Sequence, residues 1–244
     1  MQDLTLFTDY EINSAETDMF GRIRLGAFVN ILIQSAIKSA DKLGFGWEEM
    51  QKQGLFWVLN RLTLQIDAIP RWYDRISVET WPKDIHKILY LRDFIIRNEQ
   101  KDIIAKATTA WLALDFKSKR PKHVKREHLG RFTLLNDKHA IKEIPEKIPQ
   151  VNAGVVREID TAYFDIDLNR HVTSTRYIDW MLDTFSEKFH SNNYPVFLAV
   201  NYLKETALGD KIALSKESIN DKEFRFEGKN LNEKSVSFRG KIIF

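Results

Sequence analysis

The sequence contains no cysteine, and this absence excludes several kinds of chemistry. Without thiols the chain has no disulfides, no thiolate metal sites and no cysteine nucleophile, so a disulfide-stapled secreted fold is not expected. No Gly-rich phosphate-binding loop is present among its 10 glycines. The 6 histidines show neither an HExxH motif nor paired ligand spacing. We therefore expect neither a metal ion nor a cofactor.

Long apolar runs are also missing. No stretch approaches the roughly 18 apolar residues that span a bilayer, and the start MQDLTLFTDYEI has neither a basic region nor the apolar run of a signal or transit peptide. The net charge is only +3, with 34 acidic residues spread through the chain. No helix-turn-helix, zinc or RNA-recognition motif accompanies the basic residues, which argues against nucleic acid as a partner. A cytoplasmic protein without a membrane span is expected.

The sequence does contain a polar triplet just before an amphipathic helix. Asp167, Asn169 and His171 occupy every second position, and in an extended segment such residues face the same way. A helix predicted from Thr173 to about His190 would place its first-turn N–H groups beside them, a layout suited to stabilising an oxyanion. The same residues also fit a surface turn in which Asp and Asn cap the helix and His171 is incidental.

A weaker copy of this pattern lies earlier in the chain. Asp18 stands 149 residues before Asp167 (167 − 18), and Phe20 and Arg22 follow it where the second copy has Asn and His. Two copies of such length indicate two related domains rather than a helical repeat array. Only the second copy has the full polar set, so we predict that the second half is catalytic and the first half binds substrate.

Each half has the same predicted layout of one strand, one long helix and several further strands. The first helix is predicted over Leu25–Leu43, ending at Gly44. One helix covering one face of a mostly antiparallel sheet is an α+β arrangement. We predict an N-terminal domain over 1–130, a linker over 131–152 and a C-terminal domain over 153–244. The predicted strands are 4–12, 55–66, 74–81, 88–97 and 103–115 in the first half, and 155–161, 195–204, 211–218, 223–231 and 234–244 in the second.

Several segments together resemble the acyl-acyl-carrier-protein (acyl-ACP) thioesterases. They are FWVLNRL at 56–62, the segment with Pro70, Trp72 and Asp74, the strand reaching Trp111, the DxNxH run at 167–171, Tyr177, Trp180 and 202–205. The resemblance covers almost the whole chain and implies a tandem double hotdog, each half a curved antiparallel sheet around one long helix. It implies hydrolysis of fatty acyl-ACP to free fatty acid, which ends fatty acid synthesis. The implied partner is acyl carrier protein with its phosphopantetheine-linked acyl chain, and a homodimer is left open.

The resemblance also implies a catalytic set, which falls on Asp167, Asn169, His171 and Glu205. Some members have a cysteine after that glutamate, whereas this chain has Thr206. A threonine hydroxyl needs a dedicated adjacent base, so water is the expected nucleophile, with Glu205 as its general base. Asn169 and His171 would orient water or the thioester, and Asp167 would fix the motif. The division of roles between Glu205 and His171 stays open.

Substrate contacts are predicted in the first half. Phe28 and Leu32 of the first helix, with Phe56, Trp57 and Leu59, are expected to line an acyl channel, although apolar residues at these spacings are more often plain core. The segment 117–131 has seven Lys or Arg and one Glu, and would either dock an acidic carrier or form a solvated linker. Two other functions stay open on this fold, an acyl-coenzyme A thioesterase and a non-catalytic acyl-binding protein.

Overall fold

The chain folds into two compact units, Met1–Pro145 and Glu146–Phe244. A computed structural model describes residues 4–124 and 126–244, without the side chains of 126–129. Part of the segment predicted as a linker, 131–152, packs within the first unit. There the carbonyl of Lys138 accepts a hydrogen bond from the Trp81 indole at 3.2 Å, and the amide of Ala140 donates to the Asp93 carboxylate at 2.7 Å.

The first unit is an antiparallel sheet with one long helix. Its sheet has the strand order β1-β3-β4-β5-β2, and neighbouring strands are antiparallel. The elements are β1 (Leu6–Glu11), α1 (Leu25–Lys42), α2 (Trp47–Lys52), β2 (Leu55–Ile66), β3 (Arg75–His86), β4 (Leu89–Arg97), β5 (Ile103–Asp115) and α3 (Arg126–Thr133). The bounds of β2 and β5 match the prediction.

Helix α1 forms because its apolar residues recur at helical spacing and its one buried face covers the core. Phe28 and Leu32 are fully buried on that face. The helix stops where Gly44 adopts a φ of +75°, a left-handed conformation that glycine reaches without steric cost. Beyond it, Phe45 packs against Phe132, with ring centroids 4.5 Å apart.

The second unit repeats this plan with the strand order β7-β10-β9-β8-β6, again antiparallel between neighbours. The elements are β6 (Val155–Asp160), α4 (Ser174–Leu182), α5 (Glu187–Asn192), β7 (Phe197–Tyr202), β8 (Lys211–Ser218), β9 (Glu223–Asn230) and β10 (Ser235–Ile243). Both units therefore have the predicted α+β architecture.

The prediction of one long helix in the second half is wrong. Helix α4 ends at Leu182, and the new helix α5 begins after Ser186, whose side chain caps it by accepting the amide of Phe189 at 3.2 Å. The apolar spacing of the sequence continues through the break. Phe185 and Phe189 pack together across it, with ring centroids 4.6 Å apart. Periodicity alone could not reveal a capping serine that starts a second helix.

Two short helices, α2 and α3, were not predicted, and β3 is longer than expected. Pro82 was taken as the end of that strand, but it sits next to an irregularity in the β3–β4 pairing between Pro82 and Asp84. Proline is tolerated at such bulges because the ladder needs no N–H there. Among the described residues, no helix is both long and apolar enough to cross a membrane.

Candidate active site

The polar triplet lies in a tight turn and not in an extended segment, which corrects the prediction. One oxygen of the Asp167 carboxylate accepts the backbone amides of Asn169 (2.8 Å) and His171 (3.3 Å). The amide of Asp167 donates to the His171 carbonyl at 2.8 Å, and Arg170 has a φ of +64°. The Asp167 carboxylate therefore holds the turn from inside.

Asp165 anchors this turn to helix α4. Its carboxylate is buried and accepts the amide of Ala162 (2.8 Å) and the guanidinium of Arg176 (2.7 Å). Its carbonyl accepts the amide of Thr173 at 2.9 Å, just before the helix begins. A bridge between Ile166 and Val172 closes the base of the turn. The position of His171 is thus fixed by backbone contacts on both sides.

Glu205 meets His171 at the end of this turn. The Nε2 atom of His171 lies 3.0 Å from a carboxylate oxygen of Glu205. Their side chains are 30% and 44% exposed respectively, so a substrate can reach both groups. A carboxylate placed close to an imidazole is a common arrangement for general acid–base chemistry.

Of the four predicted catalytic residues, Asp167, His171 and Glu205 are joined by direct contacts. Asn169 is tied to them through its backbone amide, and its side chain is exposed to solvent. The strand predicted over 195–204 already ends at Tyr202. Glu205 therefore lies in the loop that follows.

Helix α4 begins beside the His171–Glu205 pair. The amides of Val172 and Thr173 are already used, because they donate to the carbonyls of Thr206 (2.8 Å) and Asp165 (2.9 Å). Ser174 and Thr175 open the helix, and first-turn amides of this kind have no acceptor within a helix. They are the donors that the geometry offers to a developing oxyanion.

Thr206 points into the protein, unlike its neighbour Glu205. It is buried, and its hydroxyl donates to the Ser237 hydroxyl at 2.8 Å. Burial raises the pKa of the Tyr177 hydroxyl to about 12. The Ser237 hydroxyl is not a base at neutral pH. No feature of the sequence pointed to Ser237, which lies 31 residues further along the chain.

The first unit contains the same turn without the acid–base groups. Asp18 accepts the amides of Phe20 (2.9 Å) and Arg22 (3.0 Å), its own amide donates to the Arg22 carbonyl (2.7 Å), and Gly21 has a φ of +70°. The guanidinium of Arg22 folds back onto Asp18, with Nε 2.9 Å from the carboxylate. The Arg22 side chain is buried, and its guanidinium is paired with Asp18.

The counterpart of Glu205 in the first unit is Ile69. The amide of Ile23 donates to the Pro70 carbonyl at 2.9 Å, just as the amide of Val172 donates to that of Thr206. Ile69 precedes Pro70, so an apolar side chain stands where the second unit has a carboxylate. The turn geometry is duplicated and the acid–base groups are not.

The five predicted substrate contacts do not share one surface. Trp57 and Leu59 lie on one face of β2, where the Trp57 indole donates to the Phe45 carbonyl at 2.8 Å. Phe56 points to the other face. There its ring packs against Phe116, with centroids 5.5 Å apart, and the Lys119 ammonium lies 4.7 Å from its centroid. Phe56 therefore cannot line a channel together with its two neighbours.

Solved structures share this architecture over its full length. An acyl-ACP thioesterase from Bacteroides thetaiotaomicron VPI-5482 superposes with a TM-score of 0.92 at 26% identity, covering 99% of this chain and 98% of that one. The 12:0-ACP thioesterase from Umbellularia californica gives a TM-score of 0.86 at 20% identity, covering 100% and 98%. Each unit is thus a hotdog domain, and the chain is a tandem double hotdog of the kind found in thioesterases.

Sequence comparison identifies the family. Residues 4–132 match the acyl-ACP thioesterase N-terminal domain, and residues 149–243 match the acyl-ACP thioesterase C-terminal domain. The chain therefore belongs to the acyl-ACP thioesterase family. A chloroplastic palmitoyl-acyl carrier protein thioesterase from Gossypium hirsutum is 26% identical over 235 residues, covering 91% of this chain and 57% of that protein. The chain spans about half the length of the curated relatives it matches.

Proposed function

We propose that this chain hydrolyses fatty acyl-ACP thioesters to free fatty acid and carrier protein. The observation that carries the proposal is the His171–Glu205 pair, 3.0 Å apart and exposed, in a chain of the acyl-ACP thioesterase family. By this reaction the enzyme would end fatty acid synthesis.

In the proposed mechanism, water attacks the thioester carbonyl while Glu205 takes its proton as general base. The oxygen–carbon bond forms, and the carbonyl oxygen becomes an oxyanion that the amides of Ser174 and Thr175 stabilise. The carbon–sulfur bond then breaks, and the leaving thiolate takes up the proton removed from water. The products are a carboxylic acid and the pantetheine thiol, with no covalent enzyme intermediate.

The other two members of the site have supporting roles in this mechanism. Asp167 holds the turn through two backbone amide contacts, both made by one oxygen of its carboxylate. The exposed Asn169 side chain orients water or the thioester together with His171. His171 keeps the Glu205 carboxylate in place and passes the proton towards the leaving sulfur.

The acyl chain is proposed to bind in the first unit, along the buried face of α1 that carries Phe28 and Leu32. Each buried methylene contributes about 0.8 kcal/mol, so a channel deeper by two carbons favours the longer chain by roughly tenfold. The supporting observation is that the first unit keeps the hotdog architecture but has lost its acid–base groups.

The carrier protein is proposed to dock near the basic segment 117–131. Of its cations, Lys122 is paired with Asp115 at 2.6 Å, which holds the pKa of that carboxyl well below its usual range. Lys117 and Arg120 are exposed. Among the described cations of the segment, these two exposed residues are proposed to meet the acidic partner.

The test is hydrolysis of matched acyl-ACP and acyl-coenzyme A series by the purified chain, with released thiol quantified. We expect turnover of acyl-ACP, with acyl-coenzyme A used less well. Preferential turnover of acyl-coenzyme A would assign the chain to that substrate instead. No turnover of either series, with the protein folded, would overturn the enzymatic proposal in favour of acyl binding.

A further inference from the structure

Glu205 meets His171 from an exposed position in a loop. Its side chain is 44% exposed, and it lies in the loop between β7, which ends at Tyr202, and β8, which begins at Lys211. An exposed side chain on a loop is ordinarily mobile. The 3.0 Å contact with His171 must therefore depend on what fixes the backbone of this loop.

A bulge in β10 provides the first anchor. The register between β10 and β9 shifts between Val236 and Phe238, which leaves Ser237 as the extra residue of the bulge. The carbonyl of Ser237 accepts the amides of Leu203 (2.8 Å) and Lys204 (3.1 Å). Bulges free backbone groups from the ladder and re-aim neighbouring segments. Here the freed carbonyl holds the two residues that precede Glu205.

Thr206 provides the second anchor on the other side of Glu205. Its hydroxyl donates to the Ser237 hydroxyl at 2.8 Å. Its carbonyl accepts the amide of Val172, the residue after His171, at 2.8 Å. Thr206 thus connects the bulge to the turn that carries His171.

We infer that Thr206 and Ser237 are positioning residues that hold Glu205 in its productive place beside His171. This inference rests on the proposed function, because it gives Glu205 the role of general base. Neither residue touches the reacting atoms. Both act through the geometry of the Glu205 loop, and small displacements of a catalytic group lower the rate of the chemical step.

The test combines substitutions of the two anchors with removal of the base. Thr206→Val keeps the shape but removes the hydroxyl, and Thr206→Ser keeps the hydroxyl. With acyl-ACP as substrate, we expect Thr206→Val to lower kcat by about three- to tenfold, the loss of roughly one hydrogen bond, while KM changes less than about twofold. Thr206→Ser should restore most of kcat.

Ser237→Ala should lower kcat by a similar factor. The double variant should lose no more than the larger single loss, because both changes break the same Thr206–Ser237 hydrogen bond.

The decisive measurement is the effect of Thr206→Val on the rate of the Glu205→Gln variant under single-turnover conditions. If Thr206 acts through Glu205, Thr206→Val should have almost no further effect once the base is gone. A full additional loss in that background, or an unchanged kcat in folded Thr206→Val and Ser237→Ala, would overturn the inference. Thr184→Val is the matched control, since it removes a half-buried hydroxyl that donates to the Met181 carbonyl at 2.7 Å. We expect that control to leave kcat unchanged.

The experiment also separates failure of this inference from failure of the proposed function. A Glu205→Gln variant with wild-type turnover would remove the base from the mechanism, and the inference would fall with it. A strongly impaired Glu205→Gln combined with a fully active Thr206→Val would leave the proposed function intact and overturn only the positioning role.

Discussion

At the residue scale, Glu205 can be changed without disturbing the fold, because its side chain is exposed and contacts His171 at its tip. Glu205→Gln keeps the shape but removes the proton acceptor. We expect folding and acyl binding to persist while turnover of acyl-ACP falls by about 10²- to 10⁴-fold. Steady-state and single-turnover assays of thiol release measure this loss.

Glu158→Gln is the matched control for that variant. Glu158 is an exposed carboxylate of the same unit, 3.8 Å from the Lys211 ammonium. Its substitution should leave turnover unchanged. Near-normal turnover of Glu205→Gln itself would exclude Glu205 as the base.

Thr206 is poorly suited to act as a nucleophile. Its hydroxyl is buried and donates to the Ser237 hydroxyl, and among the described residues no carboxylate makes a hydrogen bond with it. We predict no acyl adduct on Thr206 during turnover, and none on the thiol of Thr206→Cys. Mass spectrometry of rapidly quenched protein tests this, and an adduct on the unmodified enzyme would contradict the water mechanism.

At the element scale, strands β3 and β4 share a buried ion pair that tests how the first unit is held together. The Lys83 ammonium lies 3.4 Å from the Asp93 carboxylate, and both side chains are almost fully buried. Lys83→Met leaves the carboxylate without its cation, a change that costs about 3–5 kcal/mol of unfolding free energy. Urea unfolding measures the loss, and a loss below 1 kcal/mol would contradict the predicted contribution of the pair.

The same pair predicts a pH dependence. Burial raises the pKa of Asp93, although its hydrogen bond with Thr108 and the charge of Lys83 oppose that shift. A raised carboxyl pKa favours the folded state at low pH, and this contribution is lost as the pH rises above the unfolded value. The penalty of Lys83→Met should therefore be smaller in acid than at neutral pH. When Asp93→Asn is added to Lys83→Met, the penalty should no longer depend on pH. A penalty that still changes with pH would show that other groups cause the change.

The basic segment after β5 is tested by charge reversal. We choose Lys117 and Arg120 rather than Lys119, because Lys119 has a φ of +56° and packs over the Phe56 ring. Lys117→Glu/Arg120→Glu should raise KM for acyl-ACP, and the effect should shrink at high salt, where charge attraction is screened. Acyl-coenzyme A kinetics serve as the control. Equal effects on both substrates would indicate a structural change and not a docking site.

Most elements could be predicted from the sequence because their signals are local. Strands β2, β5 and β8 have the predicted bounds, since their β-rich runs end at clear turn residues. The break after Leu182 and the turn at 167–171 were missed because each depends on one side chain, Ser186 or Asp167, accepting backbone amides. The candidate triplet at 167–171 was proposed from its spacing and Glu205 from the family resemblance, whereas the Ser237 bulge depends on strand pairing far along the chain.

At the scale of the whole molecule, two hotdog units keep one turn geometry and have diverged in chemistry. In the first unit Arg22 is bonded to its own aspartate and Ile69 stands in the place of the base. Duplication supplies a second scaffold with the same buried helix face. In the proposed division of roles, the second unit retains the acid–base groups, and the first unit can adapt its interior to the acyl chain.

This division of labour predicts that chain length is set in the first unit. Phe28 is fully buried on α1. Phe28→Leu replaces the ring with a smaller side chain and so enlarges the proposed channel. Because each methylene buried contributes about 0.8 kcal/mol, room for two more carbons should move the preference towards the longer chain by roughly tenfold in kcat/KM. Competition assays with acyl-ACP of increasing length measure the shift.

The control for this variant is Phe226→Leu, which changes an equally buried phenylalanine in the sheet of the second unit. Both substitutions destabilise a core, so both should lower the unfolding free energy, by up to about 3 kcal/mol. Only Phe28→Leu should change the ranking of acyl lengths, because only its cavity opens into the proposed channel. An equal shift in both variants would mean that the preference follows general loosening of the fold. A shift in Phe226→Leu alone would place the acyl chain in the second unit, beside the catalytic pair.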